Sequence, residues 1–369
     1  MNKILFRILG TGLLSISIMG CSKMTEPEAK TIQQIGGYAA MNNKESEEYY
    51  ANLREYKKGL IRHDRPVAFG WFSNWSPSGA IRKGYLSALP DSIDFVSMWS
   101  GAPTKENMTA DQLKDKEFAQ KVKGIKLLEV SLLSYIGKNR TPEEIYRKVE
   151  AEGAEKNWSE DKIAKEKVLA RWNYWGMTSH DLSNEAEVKG AIEKYAKALY
   201  DYLEENEWDG FDIDWEIGYG VFDMDGTLTQ KNANYLIEQL GKYMGPASDP
   251  ERKGHKLLCI DGNINAFPKE CDKYVDYWII QSYGWADPNF NNPGGDPSKT
   301  IITENFEASS ISGGFLLQQA AKMPDSGWKG GVGAYRLDND YNNNPPYKWF
   351  TQAIRINQQV FNEWKAKQK

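Results

Sequence analysis

Residues 208–218 read Trp208-Asp209-Gly210-Phe211-Asp212-Ile213-Asp214-Trp215-Glu216-Ile217-Gly218. Acidic and apolar residues alternate, which is the pattern of a β-strand whose successive side chains point to opposite faces. Asp212, Asp214 and Glu216 then share one face, and Phe211, Ile213 and Trp215 share the other. At a rise of roughly 3.3 Å per residue, same-face neighbours stand about 7 Å apart at the backbone, so their carboxyl groups can lean into hydrogen-bond range. Like charges that close cannot all ionise, and at least one carboxyl must keep its proton to higher pH. A carboxyl protonated near neutrality is a general acid, able to protonate a departing oxygen such as a glycosidic one. Glu216, the last of the three and nearest the strand's C-terminal end, is assigned that task and the reverse one of general base. Asp214 is placed to hold a partner group, and Asp212 to share a proton with Asp214.

The same face admits other uses. Carboxylate oxygens suit a hard cation such as calcium or magnesium, they can line a glycan-binding cleft without turnover, or they can be solvated. A second acidic segment competes as well. Phe222-Asp223-Met224-Asp225-Gly226-Thr227-Leu228 resembles the Asp-x-Asp-Gly-Thr of haloacid dehalogenase phosphatases, with Asp223 as nucleophile, Asp225 as acid/base and magnesium required. That motif should follow a buried apolar strand early in its domain, whereas residues 218–221 form a loop just after the acidic strand. A turn with Asp-Gly chemistry is the preferred reading, a cation loop of Asp223, Asp225 and Thr227 the other.

Short apolar segments at 67–72, 93–98, 125–132, 210–216, 256–261, 274–283, 300–303 and 331–337 read as strands. Helical periodicity appears at 110–123, 185–205, 231–244, 311–322 and 347–365. Eight strands with crossovers over about 300 residues match an α/β fold of the (β/α)8 TIM-barrel type, whose sites form at the C-terminal ends of the strands. The rival is an open doubly wound sheet, weakened because no Gly-rich phosphate loop follows the first strand. Between the third and fourth strands residues 134–205 exceed one crossover, with a charged helical pair at 142–154 and 160–172 and the aromatic cluster Trp172-Asn173-Tyr174-Trp175. Such an insertion either shapes a binding site or braces the barrel wall.

The run Asp-Gly-x-Asp-x-Asp-x-Glu, complete at Asp209, Gly210, Asp212, Asp214 and Glu216, resembles glycoside hydrolase family 18, and the resemblance extends over residues 65–369. It implies a (β/α)8 barrel and activity on glycans or glycoproteins containing N-acetylglucosamine. It also implies a retaining mechanism in which the substrate's own 2-acetamido oxygen attacks while Glu216 protonates the leaving oxygen. Asp214 would orient the acetamido N–H, and neither metal nor cofactor is called for. The resemblance places Tyr283 on the acetamido oxygen. Gln281-Ser282-Tyr283-Gly284 is similar to the endo-β-N-acetylglucosaminidase branch, where many chitinases carry Met-x-Tyr-Asp. The third strand lacks the Ser-x-Gly-Gly of chitinases, and Tyr335 stands where they keep a floor Trp. Phe72, Trp75, Trp99, Tyr219 and Trp285 fall near strand ends, where a ring could stack on a sugar. Asn263 and Glu304 are expected at the same rim as hydroxyl-binding groups.

The bulk properties fit. Hydrophobic residues make up 40% and charged residues 26% of 369, a globular balance, and no basic stripe points to nucleic acid. Lys3 and Arg7 precede the apolar run 8–19, too short to span a bilayer, and Gly20-Cys21 resembles a bacterial lipobox. Residues 1–20 are read as a lipoprotein signal peptide, Cys21 as the lipidated residue, 21–64 as a tether with a packing helix near 46–60, and 65–369 as the barrel. The expected address is a bacterial membrane, reached by export and lipid anchoring, at the periplasmic or cell-surface face of the outer membrane. Cys259 and Cys271 remain, and the sequence leaves open whether they are bridged.

Overall fold

The structure is a computed structural model that describes residues 45–221 and 224–368. The signal segment, Cys21, most of the tether, Phe222 and Asp223 lie outside the described residues. Eight strands, β1 (Val67–Phe72), β2 (Phe95–Met98), β3 (Lys126–Leu132), β4 (Gly210–Trp215), β5 (Leu257–Gly262), β6 (Tyr277–Gln281), β7 (Thr300–Asn305) and β8 (Gly331–Tyr335), pair in parallel and in chain order. β8 returns to β1, with Val67 level with Gly331, and closes the barrel. This is the (β/α)8 architecture expected.

The larger helices are α1 (Glu47–Lys57), α2 (Ala110–Glu117), α3 (Glu143–Glu155), α4 (Glu160–Trp175), α5 (Glu185–Glu205), α6 (Gln230–Leu240), α7 (Leu316–Ala321) and α8 (Lys348–Lys367). Side chains cap several of them at the start: Ser46 on α1, Ser159 on α4, Asn184 on α5 and Thr229 on α6, while Thr109 and Gln112 form a reciprocal capping box on α2. Three boundaries depart from expectation. The segment after α2 continues as a π-helical turn, Phe118–Val122. The expected strand 274–283 is trimmed to β6, because Lys269–Tyr274 coils as a 3-10 helix. The expected helix 311–322 begins only at Leu316, since Gly313 and Gly314 adopt left-handed φ values of 80° and 52°. Cys259 and Cys271 are both buried free thiols.

Alternation along the strands makes two apolar layers. Phe72, Val96, Leu127, Phe211, Ile213, Trp215, Leu258, Ile260 and Trp278 face outward and join the helices in one large core. Phe69, Trp71, Phe95, Leu128, Leu257, Cys259, Tyr277 and Ile279 fill the interior, with Leu60 and Ile61 packed into the same cluster. The Tyr277 hydroxyl donates to the Leu60 carbonyl at 2.7 Å, so the segment after α1 plugs the barrel at its N-terminal end. Each large apolar side chain buried is worth about 1.5–3 kcal/mol. The outer layer holds more of them, which leaves the upper interior free to carry groups that cost stability.

Beneath the barrel, Asp276 is fully buried. Its carboxylate meets His255 Nε2 at 2.8 Å, receives the Leu258 N–H at 3.0 Å, and has His63 at 3.7 Å. Burial would raise its pKa, but the His255 hydrogen bond and the nearby His63 imidazole outweigh that and hold it at about 2. Burial would likewise lower the His255 pKa, and Asp276 reverses that to a net rise. The contribution of Asp276 is present above the ordinary carboxylate pKa and is lost as pH falls through about 2. That of His255 is complete below the ordinary imidazole pKa and is lost as pH rises through the raised one. Asp276→Asn removes the nearer of the two carboxylates beside His255 and the one beside His63, and is expected to cost about 3 kcal/mol. Calorimetry at pH 6 reads this as a lowered Tm, and an unchanged Tm would refute it.

Candidate active site

At its lower end β4 is fixed by the first two residues of the acidic motif. Asp209 accepts the Leu127 N–H at 3.0 Å and the Gln120 amide at 2.6 Å, and it pairs with Lys126 at 2.9 Å, which locks β3 to β4. Gly210 is required because a Cβ there would lie 2.4 Å from the Leu257 carbonyl oxygen on β5. With register set, Asp212 is level with Val130 and Cys259, and Asp214 is level with Leu132 and Asp261. Residues paired across parallel strands face the same way, so Asp212, Asp214 and Asp261 all enter the interior. The strand proper ends at Trp215, and Glu216, half-buried, follows it at the mouth.

The three inner carboxyls are nearly dry: Asp212 is 0%, Asp214 3% and Asp261 1% exposed. Asp212 accepts the Ser97 hydroxyl at 2.6 Å, and Asp261 accepts the Gln281 amide at 2.7 Å. The second oxygen of Asp212 and of Asp261, and Oδ1 of Asp214, are buried without a partner. Burial pushes Asp212 up to about 7 against the Ser97 hydrogen bond. Burial, helped by the charges of Glu216 and Asp212, pushes Asp214 to about 8. Asp261 is driven well above the carboxylate range by burial and by Asp214 and Asp212. Burial first, with crowding added at Asp214 and Asp261, therefore raises the inner carboxyls, which the alternation argument did not single out. Desolvation is deepest there.

Above the acids lies an aromatic rim. Tyr283 is half-buried, and its phenol is pushed up by burial and by Asp261 and Asp214, so it stays a hydrogen-bond donor. The Tyr335 ring lies 6.1 Å from Tyr283, stands edge-on to Trp99 at 5.2 Å, and is edge-on to Trp71 at 6.1 Å. Trp99 is 36% exposed, and on loops at the same end Tyr219 and Trp285 are 64% and 70% exposed.

Four rim assignments are corrected. Phe72 is wholly buried in the outer core, one residue out of phase with the inward ring, Trp71. Trp75 packs outward too, its indole donating to Asp115 at 3.0 Å and its ring edge-on to Trp208. Glu304, 1% exposed, points out of β7 and binds the backbone N–H groups of Gly284, Asn305 and Phe315, so no hydroxyl reaches it. Asn263 uses its amide on the Ile217 carbonyl at 3.2 Å and ties the loops after β4 and β5. Sequence reasoning missed Trp71, Ser97 and Asp261. Alternation on β1 would have found Trp71, which shares a face with Phe69, whereas Asp261 is picked out by its register with Asp214.

The Asp-x-Asp-Gly-Thr segment is structural where it is described. The Asp225 carboxylate pairs with Arg171, accepts the Trp172 indole N–H at 2.9 Å and receives both the N–H and the hydroxyl of Thr227. Saturated in this way it has no capacity for acid–base work. Among the described residues no group of three His, Cys, Asp or Glu side chains is arranged to hold a metal ion.

What the mouth offers is one carboxyl at the opening, carboxyls of raised pKa beneath it, a phenol donor and a group of rings set edge-on to Tyr335. That set can protonate a leaving oxygen and hold an amide beside it. The sequence profile of glycoside hydrolase family 18, BT1044-like, matches residues 25–171 and 159–305, together most of the chain. The chain belongs to glycoside hydrolase family 18. No curated protein matches it significantly. Among solved structures, a selenomethionine-labelled glutamate-to-glutamine variant of BT1044 is 29% identical, with a TM-score of 0.67 over 89% of this chain and 98% of that one. An endo-β-N-acetylglucosaminidase from Cordyceps militaris, in complex with fucosyl-N-acetylglucosamine-Asn, is 18% identical with a TM-score of 0.53 over 86% of this chain and 97% of that one, a likeness of fold.

The family 18 acids carry a cost that can be measured. A carboxyl whose pKa rises on folding favours the folded state below its ordinary value, and that support fades as pH climbs through the raised value. For Asp214 the window runs from about 4 to about 8. Asp214→Asn is expected to stabilise the fold at pH 8 by on the order of 1–2 kcal/mol more than at pH 4. Thermal unfolding at both pH values checks this, and an equal change in Tm at each would overturn it.

Proposed function

We propose that this family 18 barrel is an endo-β-N-acetylglucosaminidase that cleaves the β-1,4 bond within the chitobiose core of N-glycans. The observation that carries the reading is the end of β6, where Gln281 is held by Asp261 and the Tyr283 phenol lies within electrostatic reach of Asp261 and Asp214. This Gln-x-Tyr pair, rather than Met-x-Tyr-Asp, borders the acids. In the reaction Glu216 protonates the glycosidic oxygen from the open side, where it meets both substrate and solvent. The 2-acetamido oxygen of the substrate closes on the anomeric carbon, so the enzyme supplies no nucleophile. Asp214 accepts the acetamido N–H while Asp212 keeps its proton, and the Tyr283 hydroxyl donates to the acetamido oxygen. Water, deprotonated by Glu216, then opens the oxazolinium ion with retention. Tyr335 and Trp99 supply ring faces beside the sugar, with buried Trp71 packed edge-on behind Tyr335.

The leader supports export and lipid anchoring at Cys21 to a bacterial membrane. Among the described residues no helix is long and apolar enough to cross one.

Incubated with high-mannose and complex glycoproteins, the protein should release glycans one N-acetylglucosamine short. Glu216→Gln should lower kcat by roughly 10²–10⁴-fold, the usual worth of a general acid. Product analysis by mass spectrometry, run beside chitin oligomers, decides the substrate. Release from chitin alone would move the assignment to chitinase. Binding of glycans with no product from either would leave a glycan-binding lipoprotein instead.

A further inference from the structure

The mechanism above gives Asp261 no direct step, yet this residue occupies the most constrained position in the site. It lies on β5 at the level of Asp214 on β4, and neighbouring parallel strands run about 4.8 Å apart. Its Oδ2 accepts from the Gln281 amide at 2.7 Å, and its Oδ1 is buried without a partner, as is Asp214 Oδ1. The titratable groups acting on it are Asp212, Asp214 and Glu216 from β4 and the turn beyond; Cys259 shares its own strand, and Tyr283 approaches from the end of β6. None of these is a cation, and among the described residues no ion pair reaches Asp212, Asp214 or Asp261. Two ionised carboxylates side by side in so dry a place are excluded, so one must be the acid. Asp214 is the one on the strand that carries Glu216 and is marginally the less buried, 3% exposed against 1%, so an amide N–H of the substrate can compensate its charge. Asp261, walled in, has only the Gln281 amide.

We propose that Asp261 is a positioning residue that works as a carboxylic acid, with Oδ2 accepting from Gln281 and the proton on Oδ1 donated toward Asp214. Asp214 is thereby flanked by two acids, Asp212 and Asp261, and presents an acceptor in a fixed direction. Gln281 is oriented by the same residue, so the acceptor and the β6 amide move as a unit. Burial and the neighbouring negative charges, which drive Asp261 upward, favour the same protonation state. The inference rests on reading the site as an acid–base catalyst, and its first measurement needs no turnover.

That measurement is a carbon-13 NMR titration of aspartate carboxyls in the free, full-length protein. One signal, absent from Asp261→Asn, should remain in the protonated position at pH 8. If that signal has already moved to the carboxylate position by pH 6, the proposal is wrong whatever the substrate. Kinetics supply the second arm. Asparagine keeps an acceptor for Gln281 and a donor for Asp214, whereas leucine keeps neither. Asp261→Leu should lose about 10- to 100-fold in kcat, the worth of a hydrogen bond to a charged group, with a smaller change in KM. Asp261→Asn should recover at least tenfold of that loss, and its activity should fall at higher pH than in the wild type. Equal impairment of the two variants, or full activity in Asp261→Leu, would overturn the proposal. Should the leucine variant not fold, the titration and the asparagine pH profile still decide it. If the wild type cleaves no glycan, the proposed function fails, and the titration alone judges Asp261.

Discussion

A cluster of carboxyl groups in a dry barrel interior, with no cation paired to them among the described residues, is the constraint on which the rest of this structure depends. The contrast with the other buried acids is informative. Asp94 is gripped by both Arg65 nitrogens and the Ala68 N–H. Asp115 takes the Trp75 indole and two backbone N–H groups, and Asp338 takes the Ser73 N–H and the Asn74 amide. Those residues are fully hydrogen-bonded and staple loops to the barrel. Asp212 and Asp261 have one donor each, and Asp214 is crowded by its own kind. An acid deprived of donors and cations holds a proton instead, and mobile protons are what acid–base chemistry requires. The same residue type is thus structural outside the barrel and chemical inside it, and the environment makes the difference.

Keeping such a cluster demands stability from elsewhere. The interior below the acids is filled by rings and aliphatic chains, the segment after α1 closes the bottom, and Asp276 with His255 ties β5 to β6 beneath. The larger apolar layer lies between strands and helices, and the outward residues of β4 itself, Phe211, Ile213 and Trp215, belong to it. A single strand therefore anchors the fold with one face and strains it with the other. Alternation separates the two duties at no loss of register.

Much of this was legible in the sequence because period-two alternation fixes faces without knowledge of partners. It gave all eight strands, and it put Asp212 and Asp214 on the inside. It failed where a single residue decides the phase at a strand's end. Phe72 was preferred to Trp71, although in β1 only the latter shares a face with Phe69. Asp261 was hidden because a lone acid at the end of Leu257–Gly262 looks like an ordinary strand terminus. Only cross-strand register, which no single segment encodes, brings it level with Asp214. Glu304 failed for another reason: a polar residue at a rim was taken as free, while three backbone N–H groups from adjoining loops had already claimed it.

The long insertion after β3 was read as either a binding wall or a brace, and the Asp225 contacts show how one segment serves both ends. Arg171 and Trp172, at the end of α4, reach Asp225 in the loop that leads away from Glu216. Thr227 in that loop accepts the Ile136 N–H at 3.0 Å, and the Met224 N–H donates to the Ser134 carbonyl at 3.0 Å. Arg171 also lies 4.1 Å over the Tyr135 ring, so the clasp joins the first residues after β3, the α3–α4 hairpin and the loop after β4. A buried ion pair with every lone pair occupied is poorly replaced by water, and it holds both loops to one arrangement. Asp225 and Thr227, which a sequence motif would assign to phosphate chemistry, instead hold the loop after β4 to the helical insertion.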